Sequence, residues 1–321
     1  MRAIQVTAHG GPDVLIPATV DDPVPAPDEV LVRTGAAGVN FIDTYLRRGL
    51  YPSTPPYIPG SEIAGTVVAV GAAVTDRRVG ERVASVTAPG GYAELVSVPA
   101  GRTVVLPGEV PDDVAGSSML RGLTAHYLLD GSAHPREGDS VLVHAGAGGV
   151  GLILTQLAKL RGLRVITTVS SDEKETLSRE AGADHVLRYD AELTARVREL
   201  TDGRGVAVTY DGVGADTFEQ SLTSTAVRGT VVLYGAASGP VPPFDLQRLN
   251  GLGSLSVTRP TLAHFTAQPE ELSWRAGELF GAIADGKVSV RVGQRYPLAD
   301  AAQAHRDLEA RITTGSTVLI P

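Results

Sequence analysis

The hydrophobic pattern of this chain changes its rhythm near residue 120. Before that point the apolar runs are short and broken by glycine and proline, as in VTAHGGPDVL, VPAPDEVLVRT and GTVVAVGAAVTDRRVGERVASV. Runs of this kind, closed by turn residues, predict β-strands joined by tight turns, and hence a small barrel or sandwich. From Asp139 onward the texture is strand, helix, strand, helix: SVLVHA, GGVGLILTQLAKLRG, LRVITTV, EKETLSREAGA. The series continues through HVLRY, AELTARVRELT, VAVTYDG, DTFEQSLTST and GTVVLYG. Strict alternation predicts a parallel, doubly wound α/β sheet. GPVPPFD, residues 239–245, is the most loop-like stretch of this half, and the chain has no repeat of fixed period.

The junction between the first strand and first helix of the second half is HAGAGGVG, residues 144–151. Gly146, Gly148 and Gly151 fit G-x-G-x-x-G, with Gly149 and Val150 between them. Glycines at a strand-to-helix turn are common, so the context decides the reading: a strand precedes, a helix follows, and a second strand arrives at the right distance. There Gly146 permits the tight turn, Gly148 lets the backbone approach a pyrophosphate, and Gly151 lets the helix pack on the strand. The helix N-terminus offers amide hydrogens and a positive dipole end to the phosphates. About 20 residues on, where an NAD site places an acid on the ribose 2′-hydroxyl, the chain has Ser170 and Ser171. Hydroxyls tolerate a 2′-phosphate that a carboxylate would repel. Lys174 and Tyr189 follow within reach, and the pattern points to NADPH as the cofactor. The competing reading makes Lys174 a solvated lysine paired with Asp172 or Glu173.

Composition narrows the partners. The 321 residues carry a formal charge of −8, with basic residues scattered, which argues against nucleic acid. There is no cysteine, and the seven histidines show no metal-ligand spacing, so no metal is expected. The opening MRAIQVTAHG has no apolar h-region, and no window reaches the roughly 18 residues of a membrane span, so a cytoplasmic protein with no membrane partner is expected. A small molecule is the expected partner.

GVNFIDTYLRRGLYP (38–52), IPGSEIAGTV (58–67), GERVA (80–84), RGLTAHYLL (121–129), HAGAGGVG and ARITTGSTVLIP (310–321) together closely resemble the zinc-independent quinone oxidoreductases of the medium-chain dehydrogenase/reductase superfamily. The resemblance runs essentially end to end. It implies a β-rich GroES-like catalytic domain over 1–122, completed by 262–321, and a Rossmann NADP(H)-binding domain over 123–261, with the active site in the cleft. It also implies a homodimer joined through an edge strand of the nucleotide-binding sheet, here GSLSVT (253–258). Where zinc-dependent relatives have a catalytic Cys and His, this chain has Asn40 and Ser61, while Asp43 and Glu62 keep the family's acidic positions.

Carried over by position, the resemblance implies that Asn40, Tyr45 and Tyr51 line the nicotinamide and substrate pocket and that Thr124 meets the carboxamide end. Gly148, Gly149 and Val150 would hold the pyrophosphate. Ser170, Lys174 and Tyr189 would hold the 2′-phosphate and ribose, with Tyr234, Gly235 and Ser238 completing the site. In that last loop Ala236 and Ala237 replace the side chains of the family's GNSSG pattern. Asn40 has an alternative reading as a helix cap, and Tyr45 as a packing residue. The implied activity is NADPH-dependent quinone reduction. An enone or enoyl-thioester reductase, and a non-enzymatic NADPH-binding protein, stay open beside it.

Overall fold

The structure is a computed structural model that describes all 321 residues. In chain order the first elements are β1 (Arg2–Val6), β2 (Leu15–Thr19), β3 (Glu29–Gly38), α1 (Phe41–Arg47), β4 (Ile63–Val70), β5 (Arg82–Ser85), β6 (Leu95–Pro99), β7 (Val104–Val105) and α2 (Asp112–Tyr127). An alternating run follows: β8 (Ser140–Val143), α3 (Gly149–Leu160), β9 (Arg164–Val169), α4 (Asp172–Glu180), β10 (His185–Arg188), α5 (Leu193–Leu200), β11 (Val206–Asp211), α6 (Phe218–Ser224) and β12 (Thr225–Leu233). The chain closes with α7 (Gln247–Gly251), β13 (Ser256–Thr258), α8 (Leu262–Phe265), α9 (Pro269–Ala284), β14 (Val292–Pro297), α10 (Ala301–Glu309) and β15 (Ser316–Ile320). No helix is long and apolar enough to cross a membrane.

Two compact units result. One comprises Met1–Arg121, Gln268–Gly286 and Val290–Pro321, the other Gly122–Ala267 with Lys287–Ser289. The first is β-rich. Its main sheet runs β14-β15-β3-β4-β5-β7, with β6 also on β3, while β1 and β2 form a separate antiparallel ribbon. The last strand closes this unit, since Leu319 pairs with Ala37 and Val318 with Gly38. Alternation in β3 buries Val30 and Val32 and exposes Arg33, which sets the face of the core. Val67, Ile63, Val96, Val98, Tyr92 and Leu319 fill that core. Fully burying an aliphatic side chain contributes about 1.5–3 kcal/mol.

The second unit is a parallel sheet in the order β10-β9-β8-β11-β12-β13, the Rossmann order 3-2-1-4-5-6. Its central strands are buried on both faces and are correspondingly rich in β-branched residues: Val141, Val143, Val165, Ile166, Val206, Val231 and Val232 are each at most 2% exposed. β10 and β13 are the edges. The predicted strands and helices of the alternating half all form, and GPVPPFD runs as a connection without regular structure.

Candidate active site

In the Rossmann unit the candidate residues gather at the carboxyl ends of the parallel strands, where open α/β sheets bind ligands. The first turn leaves β8 through His144 and Ala145, which adopts φ +55, and enters α3 at Gly148. Gly146 donates to the Thr168 carbonyl oxygen at 2.9 Å, and a Cβ built on it would lie 2.5 Å from Thr167 Cβ. A Cβ on Gly151 would clash with the Ala145 carbonyl oxygen and lie 3.0 Å from Gly146 Cα, so this helix start tolerates only glycine there. Gly148 is the N-cap and offers no side chain to the first turn, which leaves the amides of Gly149, Val150 and Gly151 pointing out of the helix end. The turn therefore has the features that a bound pyrophosphate needs.

Beside it, Ser170 and Ser171 follow β9, and they divide their work. Ser171 Oγ accepts from the Lys174 amide at 3.3 Å and caps α4. Ser170 Oγ accepts from Lys174 Nζ at 3.4 Å, which brings the lysine and the first serine together as expected. Asp172, considered as a partner of Lys174, accepts from Arg188 Nη2 at 2.5 Å, and Glu175 accepts from the same nitrogen at 2.8 Å. Sequence reasoning missed Arg188, although a cation ending a strand beside an acid-rich helix start is a readable signal. Tyr189 follows β10; its hydroxyl accepts from the Ala145 amide at 2.7 Å and its ring stacks on His144 at 5.9 Å.

The fifth-strand loop is held from within. Asp211, fully buried at the end of β11, accepts from the amides of Val213 and Gly214 and from the hydroxyls of Thr217 and Ser221 at 2.7–3.0 Å. Ser238 Oγ donates to the Val213 carbonyl and accepts from the Asp216 amide, so its hydroxyl ties two loops together. Tyr234 and Gly235 both donate backbone hydrogen bonds to the Asp211 carbonyl, and Gly235 packs directly against Gly212. Burial raises the Tyr234 phenol above its ordinary value, so it stays protonated. Ala237 keeps a backbone bond to the Gly212 carbonyl at 3.2 Å. Thr124 is buried on α2, outside these strand-end loops. Asp211 escaped the sequence reading because an acid after a β-run looks like an ordinary turn residue.

The β-rich unit supplies a second cluster. Asn40 follows β3, is 4% exposed and sits at the N-cap of α1, as its structural reading expects. It forms a capping box with Asp43, and its side chain also reaches beyond the cap: Asn40 Nδ2 donates to Glu62 Oε2 at 2.8 Å. Glu62 Oε1 accepts from the Leu120 amide at 2.7 Å, and Arg121 Nη1 lies 3.8 Å from Oε2. Burial raises the Glu62 pKa against the pull of Arg121 and Asn40. Tyr45, half-buried on α1, packs between Phe41 at 6.4 Å and the exposed Tyr51 at 5.7 Å, edge to face with the latter. Asn40, Tyr45 and Tyr51 thus belong to one short segment with an amide and two phenols.

Behind Asn40 lies a chain of buried polar groups that the sequence did not foretell. Asp43 Oδ2 accepts from the Asn40 amide at 2.8 Å and from the Tyr92 hydroxyl at 3.2 Å. Tyr92 lies 3.0 Å from His305 Nε2, and His305 Nδ1 lies 3.0 Å from Arg47 Nη1. Arg47, fully buried, pairs with Glu309 at 2.7 Å. Burial, reinforced by Arg47, pushes the His305 pKa down to about 3, and burial pushes the Asp43 carboxyl up to about 7.

Family models agree with this architecture. Residues 26–108 match the alcohol dehydrogenase GroES-like domain, and residues 149–276 match the family described as zinc-binding dehydrogenase. A quinone oxidoreductase of Pseudomonas aeruginosa is 49% identical over 325 residues, covering 100% of this chain and 99% of that protein. A 2-haloacrylate reductase of a Burkholderia species is 40% identical over 330 residues, covering 100% and 99%. A mycobacterial protein crystallised in complex with NADPH is 57% identical and superposes with a TM-score of 0.98, covering 100% of both chains. With this fold and these full-length likenesses, the chain belongs to the quinone oxidoreductases of the medium-chain dehydrogenase/reductase superfamily and is an oxidoreductase.

Proposed function

We propose that this protein reduces quinones by hydride transfer from NADPH without a metal ion. The observation that carries the reading is the end-to-end likeness to quinone oxidoreductases, combined with a glycine turn whose shape fits the cofactor found in the 57%-identical mycobacterial relative. NADPH, when bound, supplies the hydride. The pyrophosphate lies on Gly148, Gly149 and Val150, while Ser170, Lys174 and Tyr189 take the 2′-phosphate and ribose, and Tyr234, Gly235 and Ser238 border the cofactor. Thr124 meets the carboxamide. Asn40, Tyr45 and Tyr51 line the acceptor pocket. Asn40 has one amide hydrogen committed to Glu62, which leaves its second hydrogen for the pocket. A quinone needs little more, because charge arriving with the hydride spreads into an aromatic hydroquinone and hydrogen bonds from Tyr45 or Asn40 suffice to steady it.

The protein works as a homodimer in this reading, with β13 as the edge that meets a second copy. The Burkholderia relative favours a second reading, in which an activated C=C bond beside a carboxyl or carbonyl group accepts the hydride. NADPH oxidation against quinones, enones and enoyl thioesters decides between them. Quinones give the highest kcat/KM if the first reading is right, and a preference for enones or enoyl thioesters overturns it.

Metal enters neither reading. Asn40 donates to Glu62 and Ser61 offers only a hydroxyl, so the ligand set of a catalytic zinc is missing. Exhaustive chelation is expected to leave activity unchanged, with less than about 0.1 zinc per purified chain by elemental analysis. Stoichiometric zinc would contradict this.

A further inference from the structure

Asp43 is a fully buried carboxylate of the β-rich unit whose two oxygens have opposite fates. Oδ2 accepts two hydrogen bonds, from the Asn40 amide and the Tyr92 hydroxyl. Oδ1 is buried with no partner. The chain behind Tyr92 has a fixed direction. Arg47 can only donate, so His305 accepts on Nδ1 and carries its hydrogen on Nε2. That hydrogen points at the Tyr92 oxygen, and the Tyr92 hydrogen then points at Asp43. Burial holds His305 neutral and Tyr92 protonated, so neither breaks the direction near pH 7. Every donor converges on Oδ2, and a proton on this carboxyl belongs on Oδ1.

A carboxylate in this place is an expense to the fold, since an isosteric amide would avoid burying a charge. Groups facing Asp43 only partly offset it: Arg121 attracts the charge, Glu62 repels it, and Tyr57 and Tyr92 are neutral phenols. We propose that Asp43 is a positioning residue whose charge sets the start of α1, and with it Asn40 and Tyr45, so that turnover follows the ionisation of this buried carboxyl. The inference rests on the reading that Asn40 and Tyr45 line the acceptor pocket. The ionised form is the productive one, because both bonds to Oδ2 are charge-assisted only then and draw the Asn40 amide and the Tyr92 hydroxyl tightest. With the carboxyl raised to about 7, that form fills as pH rises through neutrality.

The test joins a kinetic and a non-kinetic measurement. In wild type, kcat at saturating NADPH and acceptor rises with pH through one limb near neutrality. Asp43→Asn flattens that limb and lowers kcat several-fold while the NADPH dissociation constant stays the same. Tyr92→Phe removes a donor that favours the carboxylate and moves the limb to higher pH. A limb that persists in Asp43→Asn, or does not move in Tyr92→Phe, overturns the proposal. The non-kinetic arm is thermal unfolding against pH. A folded-state pKa above the unfolded value stabilises only at low pH, and that contribution is lost as pH rises through the folded pKa. Asp43→Asn should therefore gain on wild type between pH 5 and pH 8, and a constant difference would contradict the titration at Asp43. If wild type reduces no acceptor offered, the proposed function fails by itself, and the unfolding series still decides whether Asp43 titrates.

Discussion

Lys174→Ala is expected to raise the dissociation constant for NADPH about 10-fold or more, since a charge-assisted hydrogen bond contributes roughly 1.5–3 kcal/mol. NADH offers the lysine no phosphate, so its affinity should barely change. The structure sharpens this expectation. Lys174 Nζ stands at Ser170 Oγ, and one of the two acids considered as its partner, Asp172, accepts from Arg188. Asp at position 170 should go further and reverse the preference, because a carboxylate accepts from a 2′-hydroxyl and repels a phosphate in the same place. Fluorescence titration of both cofactors on wild type, Lys174→Ala and Ser170→Asp, at low and high salt, checks it. Salt should weaken the wild-type preference, since part of it is a screened charge interaction. Equal losses for both cofactors in Lys174→Ala would assign the lysine to the fold instead.

Gly151→Ala is expected to damage both the fold of the glycine turn and cofactor binding. The added Cβ meets the Ala145 carbonyl and the Gly146 backbone, neither of which can swing aside as a side chain would. Overpacking of this kind costs typically 1–3 kcal/mol, and about 2 kcal/mol lost from the cofactor-binding geometry is a roughly 30-fold loss of NADPH affinity. The melting temperature should fall with it. Gly148→Ala separates fold from site: the nearest atom to its Cβ is the Ala145 carbonyl oxygen at 3.2 Å, with φ −77, so the turn can form. It should keep its melting temperature and still lose NADPH affinity, because the methyl occupies the approach of the pyrophosphate. Comparable NADPH affinity in Gly148→Ala and wild type would remove the phosphates from this turn.

Much of the Rossmann unit was legible because its elements are local. Each strand of the parallel sheet is a short β-branched run and each helix an amphipathic one, so periodicity alone delimits them. The glycine turn and the Ser170–Lys174 pair were legible for the same reason: HAGAGGVG, Ser170 and Lys174 lie within 31 residues of one strand-helix-strand-helix run. The β-rich unit was legible only as texture. Its sheet pairs β15 with β3 across most of the chain length, and nothing in either strand names its partner. The Asp43 chain is the extreme case, since Arg47 reaches His305 across 258 residues and Tyr92 reaches it across 213. Each of these residues alone resembles an ordinary polar position, and only packing shows that they form one directed series. Asp211 was hidden differently. It is local, but its role is to restrain loops, and a restraining acid has no spacing signature.

The central claim is that NADPH passes a hydride to a quinone in this protein. The most direct test is the single-turnover rate of quinone reduction with NADPH deuterated at the transferred C4 position, compared with unlabelled NADPH and with NADH. The account predicts a primary isotope effect with label on one face of the nicotinamide only, deuterium lost from that face, and slower reduction by NADH at equal concentration. Identical rates with labelled and unlabelled NADPH on both faces, together with retained deuterium or faster reduction by NADH, would contradict it.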